Sequence, residues 1–192
     1  MMLAQTQHEV RGYLRTAHAN ALQGVATEFI GPERVKELVP IIDTNGPRYP
    51  VLGALWQPRA GTARHDAVAW GYARACSAMG MDIIQNCEVT GIRREGGKVT
   101  GVETTKGAIG CDRLGIVVAG HSSQLADMAG FRLPIESVAL QALVSEPIKP
   151  CMDVVVMANT VHGYLSQSDK GEMVIGGGTG GFNNYTQRGS WH

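Results

Sequence analysis

The chain has 192 residues, 44% of them hydrophobic and 18% charged, with 17 basic side chains balanced by 17 acidic ones. That length suffices for one domain with a real core. The even charge leaves nothing global to draw the protein to nucleic acid or an anionic membrane, and no apolar run approaches a bilayer-spanning helix.

No signal-peptide pattern opens the sequence. Cys76, Cys87, Cys111 and Cys151 are scattered, with no C-x-x-C pair. This argues against a zinc site or a disulfide framework and for reduced thiols in a cytoplasmic protein. The 25 glycines punctuate strands and turns rather than forming a low-complexity tract.

Residues 1–7 read as a short strand. Residues 8–23 read as a helix, with Val10, Leu14, Ala17, Ala21 and Leu22 near helical spacing and Gly24 as a stop. His18 is a flanking histidine with no triad or metal partner nearby. After a strand at 25–30, Gly31-Pro32-Glu33 opens a second helix carrying Val35, Leu38 and Val39; proline is tolerated there because the missing donor costs nothing in a first turn. A turn-rich loop, 43–50, precedes a strand at 51–56.

The loop Gly61-Thr62-Ala63-Arg64-His65-Asp66 leads into a helix reaching about Gly80, with Val68, Tyr72, Ala75, Cys76 and Met79 as its apolar face. Asp66 suits the positive end of that helix. A buried strand is expected at 81–87. A meander follows at 88–94, 99–104 and 109–112, with turns at Glu95-Gly96-Gly97 and Lys106-Gly107. The apolar run Leu114 to Ala119, bounded by Gly120, has the profile of a central strand, and a short helix runs from Ser122 to Gly130.

Strands are expected at 133–148, 154–158, 163–167 and 172–176, with a hairpin turn at Ser168-Asp169-Lys170-Gly171. Gly176 to Gly181 reads as a strand-to-loop turn. Residues 183–192 show no closing element, and strand edges left open in this way are normally covered.

Helix, strand, meander and central strand in this order are found in one family. Gly61 before the helix, Gly80-Met81-Asp82 after it, Glu88-Val89-Thr90-Gly91-Ile92 in the next strand and Val118-Ala119-Gly120 at the end carry the match. The chain resembles the D-amino-acid-oxidase-like flavoproteins, which include sarcosine, glycine and dimethylglycine oxidoreductases. TARHDAVAWGYARA, DIIQNCEVTGIRR, AGHSSQLADMAGFRLP, LQALVSEP, SQSDKGEMVIG and QRGSWH are similar to the beta-subunit branch, from heterotetrameric sarcosine oxidases.

The family opens with a strand, a G-x-G-x-x-G turn and a helix that holds the FAD pyrophosphate. No such unit is found here, nor is the family's final portion, so the chain reads as an internal piece of a longer subunit.

The resemblance implies roles for particular residues. His65 matches the histidine that carries covalent FMN in the beta subunits; a neutral imidazole can attack the electrophilic 8α carbon of the flavin. Arg64 would favour the neutral form and Asp66 would oppose it. Val89 matches a residue whose main chain meets the adenine of noncovalent FAD. Ala119 and Gly120 match a small pair that lets the backbone pass close to the cofactor. Read from the residues alone, His65 fits a helix start, Val89 a core position and Gly120 a plain strand end.

No catalytic residue and no metal ligand is assigned. His162 and Tyr164 suit either a pocket wall or cross-strand packing. Monomeric sarcosine oxidases carry a lysine near the position of Gly176 that helps oxygen react, whereas Val174 or a neighbour stands here.

The expected fold is α+β or mixed α/β. A partial FAD-binding domain spans 61–130, and a partial antiparallel substrate domain spans 1–60 and 131–192. The resemblance implies a parent that oxidises sarcosine to glycine and formaldehyde, with FAD, FMN and oxygen accepting electrons in turn. The implied partners are alpha, gamma and delta subunits and a small amine substrate. Two alternatives stay open: a related amino-acid or N-methyl amine dehydrogenase using FAD alone, and a catalytically silent folded fragment acting only in subunit association. The chain by itself is expected to be colourless, because half-built sites incur ordering costs without full contacts.

Overall fold

The computed structural model describes residues 1–183. The chain divides into two compact units, the first comprising Met1–Thr62 and Leu140–Gly180 and the second comprising Ala63–Ala139. The QRGSWH segment and the ending read over 184–192 lie outside the described residues.

The first unit is built on a seven-stranded sheet in the order β2-β3-β1-β8-β9-β10-β7. Its strands are β1 (Met2–Ala4), β2 (Glu28–Ile30), β3 (Gly53–Trp56), β7 (Val138–Pro147), β8 (Val156–Ala158), β9 (Gly163–Gln167) and β10 (Glu172–Asn183). β1 pairs antiparallel with β3 and parallel with β8; the β8–β9 and β9–β10 pairs are antiparallel.

Strand alternation sends neighbouring residues to opposite faces. Met2, Leu55 and Phe29 share one face by register, and Leu3, Ala54 and Ile30 share the other. α1 (Gln7–Leu22) packs Tyr13 and Ala17 on the first face, with Ala4 and Leu55. α2 (Pro32–Leu38) lies on the second, where Val35 and Val39 are fully buried with Leu3, Ile30, Ala54 and Val156. A helix on each face thus supplies the core.

Local chemistry sets these elements. Thr6 caps α1 by accepting the Glu9 N–H at 3.2 Å, while the Glu9 carboxylate takes the Thr6 N–H at 3.0 Å. Pro32 occupies the first turn of α2. Gly53, at φ 154, leaves room where a side chain would strike the Phe29 ring and the Ile30 carbonyl. Gln167 binds the 148–152 segment to the β9–β10 hairpin. Its carbonyl accepts from the N–H groups of Cys151 (2.8 Å) and Met152 (3.2 Å), and its amide donates to the carbonyls of Lys149 (3.1 Å) and Gly171 (3.0 Å).

The second unit carries α3 (His65–Ala78), a meander of β4 (Val89–Glu95), β5 (Lys98–Thr104) and β6 (Gly107–Gly110), and α4 (Ser122–Met128). Gly101, at φ 159, lets the Arg93 guanidinium cross it to reach Glu103 at 3.2 Å. The Arg94 guanidinium donates to the Ala129 carbonyl at the end of α4, where a cation is favoured.

Two strands expected from the sequence do not form. Residues 81–87 and 114–118 have no strand partner among the described residues. An apolar strand needs a neighbour to take its backbone groups, and Asn86 adopts φ 50 instead of an extended conformation. The expected apolar face of α3 is largely uncovered: no residue of α3 is buried among the described residues, and Tyr72 and Met79, the latter just past the helix end, are 72% and 86% exposed. The glycine run read as a turn at 176–181 continues β10 to Asn183. No helix among the described residues is long and apolar enough to cross a membrane.

Candidate functional site

His65 is the first residue of α3 and is exposed. Arg64 occupies the cap position in extended conformation without a side-chain cap bond. The Ala67 N–H, bonding to the Asp66 carboxylate, is the main cause holding that carboxyl below its usual range, and the charges of Arg64 and His65 add to it. Arg64 Nε lies 4.0 Å from Asp66 Oδ1. The basic and acidic neighbours of His65 thus sit beside each other. His65 itself is a reachable ring at a helix start, following a loop where a side chain added at Gly61 would meet nothing.

Val89 begins β4, half-buried, opposite Thr104. Its place is fixed by the meander, whose end is tied down where the Thr105 N–H donates to the Glu88 carbonyl at 2.9 Å and Lys106 Nζ donates to the Gln85 carbonyl at 2.8 Å.

Ala119 and Gly120 do not end a strand. They form a short 3-10 turn, Ala119–His121, entered with Ala119 at φ 46. The Ala119 carbonyl accepts from the Ser122 hydroxyl at 2.7 Å, and the Gly120 carbonyl accepts from the Ser137 hydroxyl. A Cβ added at Gly120 would meet nothing, so no atom of the described residues demands glycine there. All four sequence-predicted residues lie in the second unit, on three different elements, and no hydrogen bond among the described residues joins any two of them.

The first unit holds features that the sequence reading missed or left open. The Tyr164 ring lies across Gly176 on the neighbouring strand, and His162 closes a 3-10 turn at φ 48, its carbonyl accepting from the Gly178 N–H at 3.0 Å. A cavity of about 460 Å³ is walled by Met1 and three further segments that include Trp56, Gln57, Asp153, Ser166 and Asp169. Its one sequence mark is the unbroken polar run Ser166-Gln167-Ser168-Asp169. Among the described residues no group of three or more His, Cys, Asp or Glu is placed to hold a metal ion.

A mixed sheet covered by a helix on each face and a separate antiparallel meander place the chain among the flavin-dependent α/β oxidoreductases. The family model for FAD dependent oxidoreductases matches residues 1–192, and the chain belongs to that family. Sarcosine oxidase subunit beta of Rhodobacter capsulatus is 73% identical over 192 residues, which are all of this chain and 46% of that protein. The subunit of the same name from Arthrobacter sp. is 53% identical over 191 residues, 99% of this chain and 47% of that protein. Among solved structures, L-proline dehydrogenase from P. horikoshii matches with a TM-score of 0.86 at 28% identity, over 99% of this chain and 51% of that one. The chain therefore spans about half the length of the relatives it matches.

The residues present fit the family's cofactor only in part. The Gly176 to Gly181 stretch has G-x-G-x-x-G spacing, but it lies within β10. α1 opens on a capping box that already satisfies its first donors. No phosphate cradle is therefore found among the described residues. The exposed His65 ring and the open space at Gly120 do fit a flavin approaching from outside the chain.

Proposed function

We propose that this chain is part of a flavin-dependent amine oxidase of the sarcosine oxidase beta type. The identity of 73% along its whole length with a sarcosine oxidase subunit beta carries this reading. The parent reaction would convert sarcosine, oxygen and water to glycine, formaldehyde and hydrogen peroxide. The bound flavins supply electron acceptance from the N-methyl group and electron delivery to oxygen.

Within that chemistry the chain's own residues hold and orient. His65 provides the ring nitrogen for covalent attachment of FMN. The Val89 main chain would help hold the adenine portion of noncovalent FAD, and the Ala119–Gly120 turn would let backbone approach the cofactor. The partners are alpha, gamma and delta subunits together with a small amine, and the compartment is the cytoplasm, in keeping with four free cysteines.

The likeness to L-proline dehydrogenase favours a second reading, an amino-acid or N-methyl amine dehydrogenase using FAD alone. Denaturing the assembled enzyme separates the two. Flavin absorbance that stays with the polypeptide and disappears in His65→Ala supports the first reading; release of all flavin supports the second. A parent complex without flavin would leave only subunit association, the third reading. The 192-residue chain alone is expected to purify colourless.

A further inference from the structure

We propose that Asn45 is a site of self-modification: the Gly46 main-chain nitrogen closes on the Asn45 side chain, and the loop carrying the pair ages into aspartyl and isoaspartyl forms. Asn45-Gly46 is the one Asn-Gly step in the sequence. It lies between α2 and β3, and Asn45 is exposed. Asparagine amides are thermally labile, and a following glycine removes the Cβ that would shield the attacking nitrogen.

Nothing among the described residues obstructs the attack. A Cβ built at Gly46 would come no closer than 3.9 Å to its nearest neighbour, Asp43 Oδ2, and Gly46 takes no positive φ, so neither space nor backbone conformation requires glycine there. Neither the Asn45 side-chain amide nor the Gly46 N–H has a hydrogen-bond partner among the described residues. The Asn45 main-chain N–H is the engaged group, donating to Asp43 Oδ1 at 2.9 Å. Other asparagines differ. Asn20 Nδ2 donates to the Thr27 hydroxyl at 3.0 Å and Asn159 Nδ2 to the Tyr13 hydroxyl at 3.1 Å, so both amides are held. Asn86 is followed by Cys87, whose side chain crowds the attacking nitrogen.

The step needs water and no oxidant or cofactor. A bond forms from the Gly46 nitrogen to Asn45 Cγ, the Cγ–Nδ2 bond breaks, and ammonia leaves with the proton that the Gly46 nitrogen loses. Water then opens the cyclic imide. Opening at Cγ leaves an aspartyl residue; opening at the main-chain carbonyl reroutes the backbone through Cγ and lengthens it by one carbon. That carbon enters a loop with little slack. The Val51 N–H donates to the Thr44 carbonyl at 2.9 Å, the Leu52 N–H to the Ala4 carbonyl at 2.8 Å, and Gln5 Nε2 to the Tyr49 carbonyl at 3.0 Å. Pro47 and Pro50 fix φ at two positions of the loop. The bond between Val51 and Thr44, which closes the loop beside the altered residue, therefore takes the strain. None of this rests on the flavin chemistry proposed above.

The test is to incubate the 192-residue chain at mildly alkaline pH and follow the tryptic peptide Glu37–Arg48 by mass spectrometry. A second digestion with an endoproteinase that cuts before aspartate but not before its isomer separates the two products. Conversion at position 45 is expected to run roughly 10-fold or more faster than at Asn20 or Asn159, and to slow by a similar factor in Gly46→Ala. Gly46→Ala should melt as the unaltered chain does, because the added methyl enters open space, so slower conversion there is not a lost fold. Amide exchange at Val51 should quicken by roughly 10-fold in the isoaspartyl fraction and stay unchanged in α1. Conversion at position 45 no faster than at Asn20 and Asn159, or an equal rate in Gly46→Ala, would overturn the site. Unchanged exchange at Val51 in the isoaspartyl fraction would overturn its effect on the loop.

Discussion

The Thr160 hydroxyl donates to Glu9 Oε1 at 2.9 Å, joining residues 151 positions apart and fastening the start of α1 to the turn after β8. Burial opposes ionisation of Glu9, yet the hydrogen bonds from the Gln5 N–H, the Thr160 hydroxyl and Thr6 outweigh it and hold the carboxyl below its ordinary 4.5. A carboxyl lowered on folding contributes stability above its unfolded value, and that contribution is lost as pH falls through the folded value. The first unit should therefore lose stability on acidification below about pH 4.5. Glu9→Gln should flatten that part of the profile. Thr160→Ala should cost about 0.5–1 kcal/mol at neutral pH, because the bond is only partly shielded from water. Thermal melting across a pH series checks both.

Gln167, in the wall of the first unit's cavity, satisfies backbone groups of both the 148–152 segment and the β9–β10 hairpin. Gln167→Leu keeps the bulk but strands the N–H groups of Cys151 and Met152 and the carbonyl of Lys149, while the Gly171 carbonyl keeps the Ile148 N–H. The expected cost is about 2–3 kcal/mol, since unpaired backbone groups bear their desolvation penalty. Exchange at residues 149–153 should accelerate more than exchange in α1.

Gly176→Ala should force the Tyr164 ring off its seat, because the added methyl falls on the ring. A loss of about 1–3 kcal/mol is expected. Tyr164→Ala should cost less, and the double variant should be more stable than the sum of the two single changes predicts, a coupling readable by a double-mutant cycle. Additive effects would mean the two residues do not share that space.

Elements whose signals are local were legible in the sequence. The helix over 8–23, the proline opening α2, the hairpin at 168–171 and the strand at 163–167 all appear close to where the residues placed them. The meander over 89–110 was legible from its glycine turns. Residues 81–87 and 114–118 were not, because composition reports only that a segment would pair well, and pairing needs a second strand. The same reason left Val68, Tyr72 and Met79 exposed on α3.

Other features depended on tertiary contacts that periodicity does not report. Tyr13 proved a better core residue than Leu14 or Leu22, because α1 turns its Tyr13 face to Ala4 and Leu55. At the candidate site, the place of His65 at a helix start was readable from the residues, although the helix begins at His65 itself rather than after Asp66. The 3-10 turn at Ala119 was hidden inside an apolar run, since an alanine at φ 46 carries no sequence mark.

The central claim concerns His65, and peptide mass spectrometry of the assembled enzyme tests it most directly. Trypsin cuts after Arg64 and Arg74, releasing His65–Arg74 as one peptide. The account predicts that this peptide carries a flavin mononucleotide adduct on its histidine and that the adduct survives denaturation. An unmodified His65–Arg74 peptide from an enzyme whose flavin is all released by acid would contradict it.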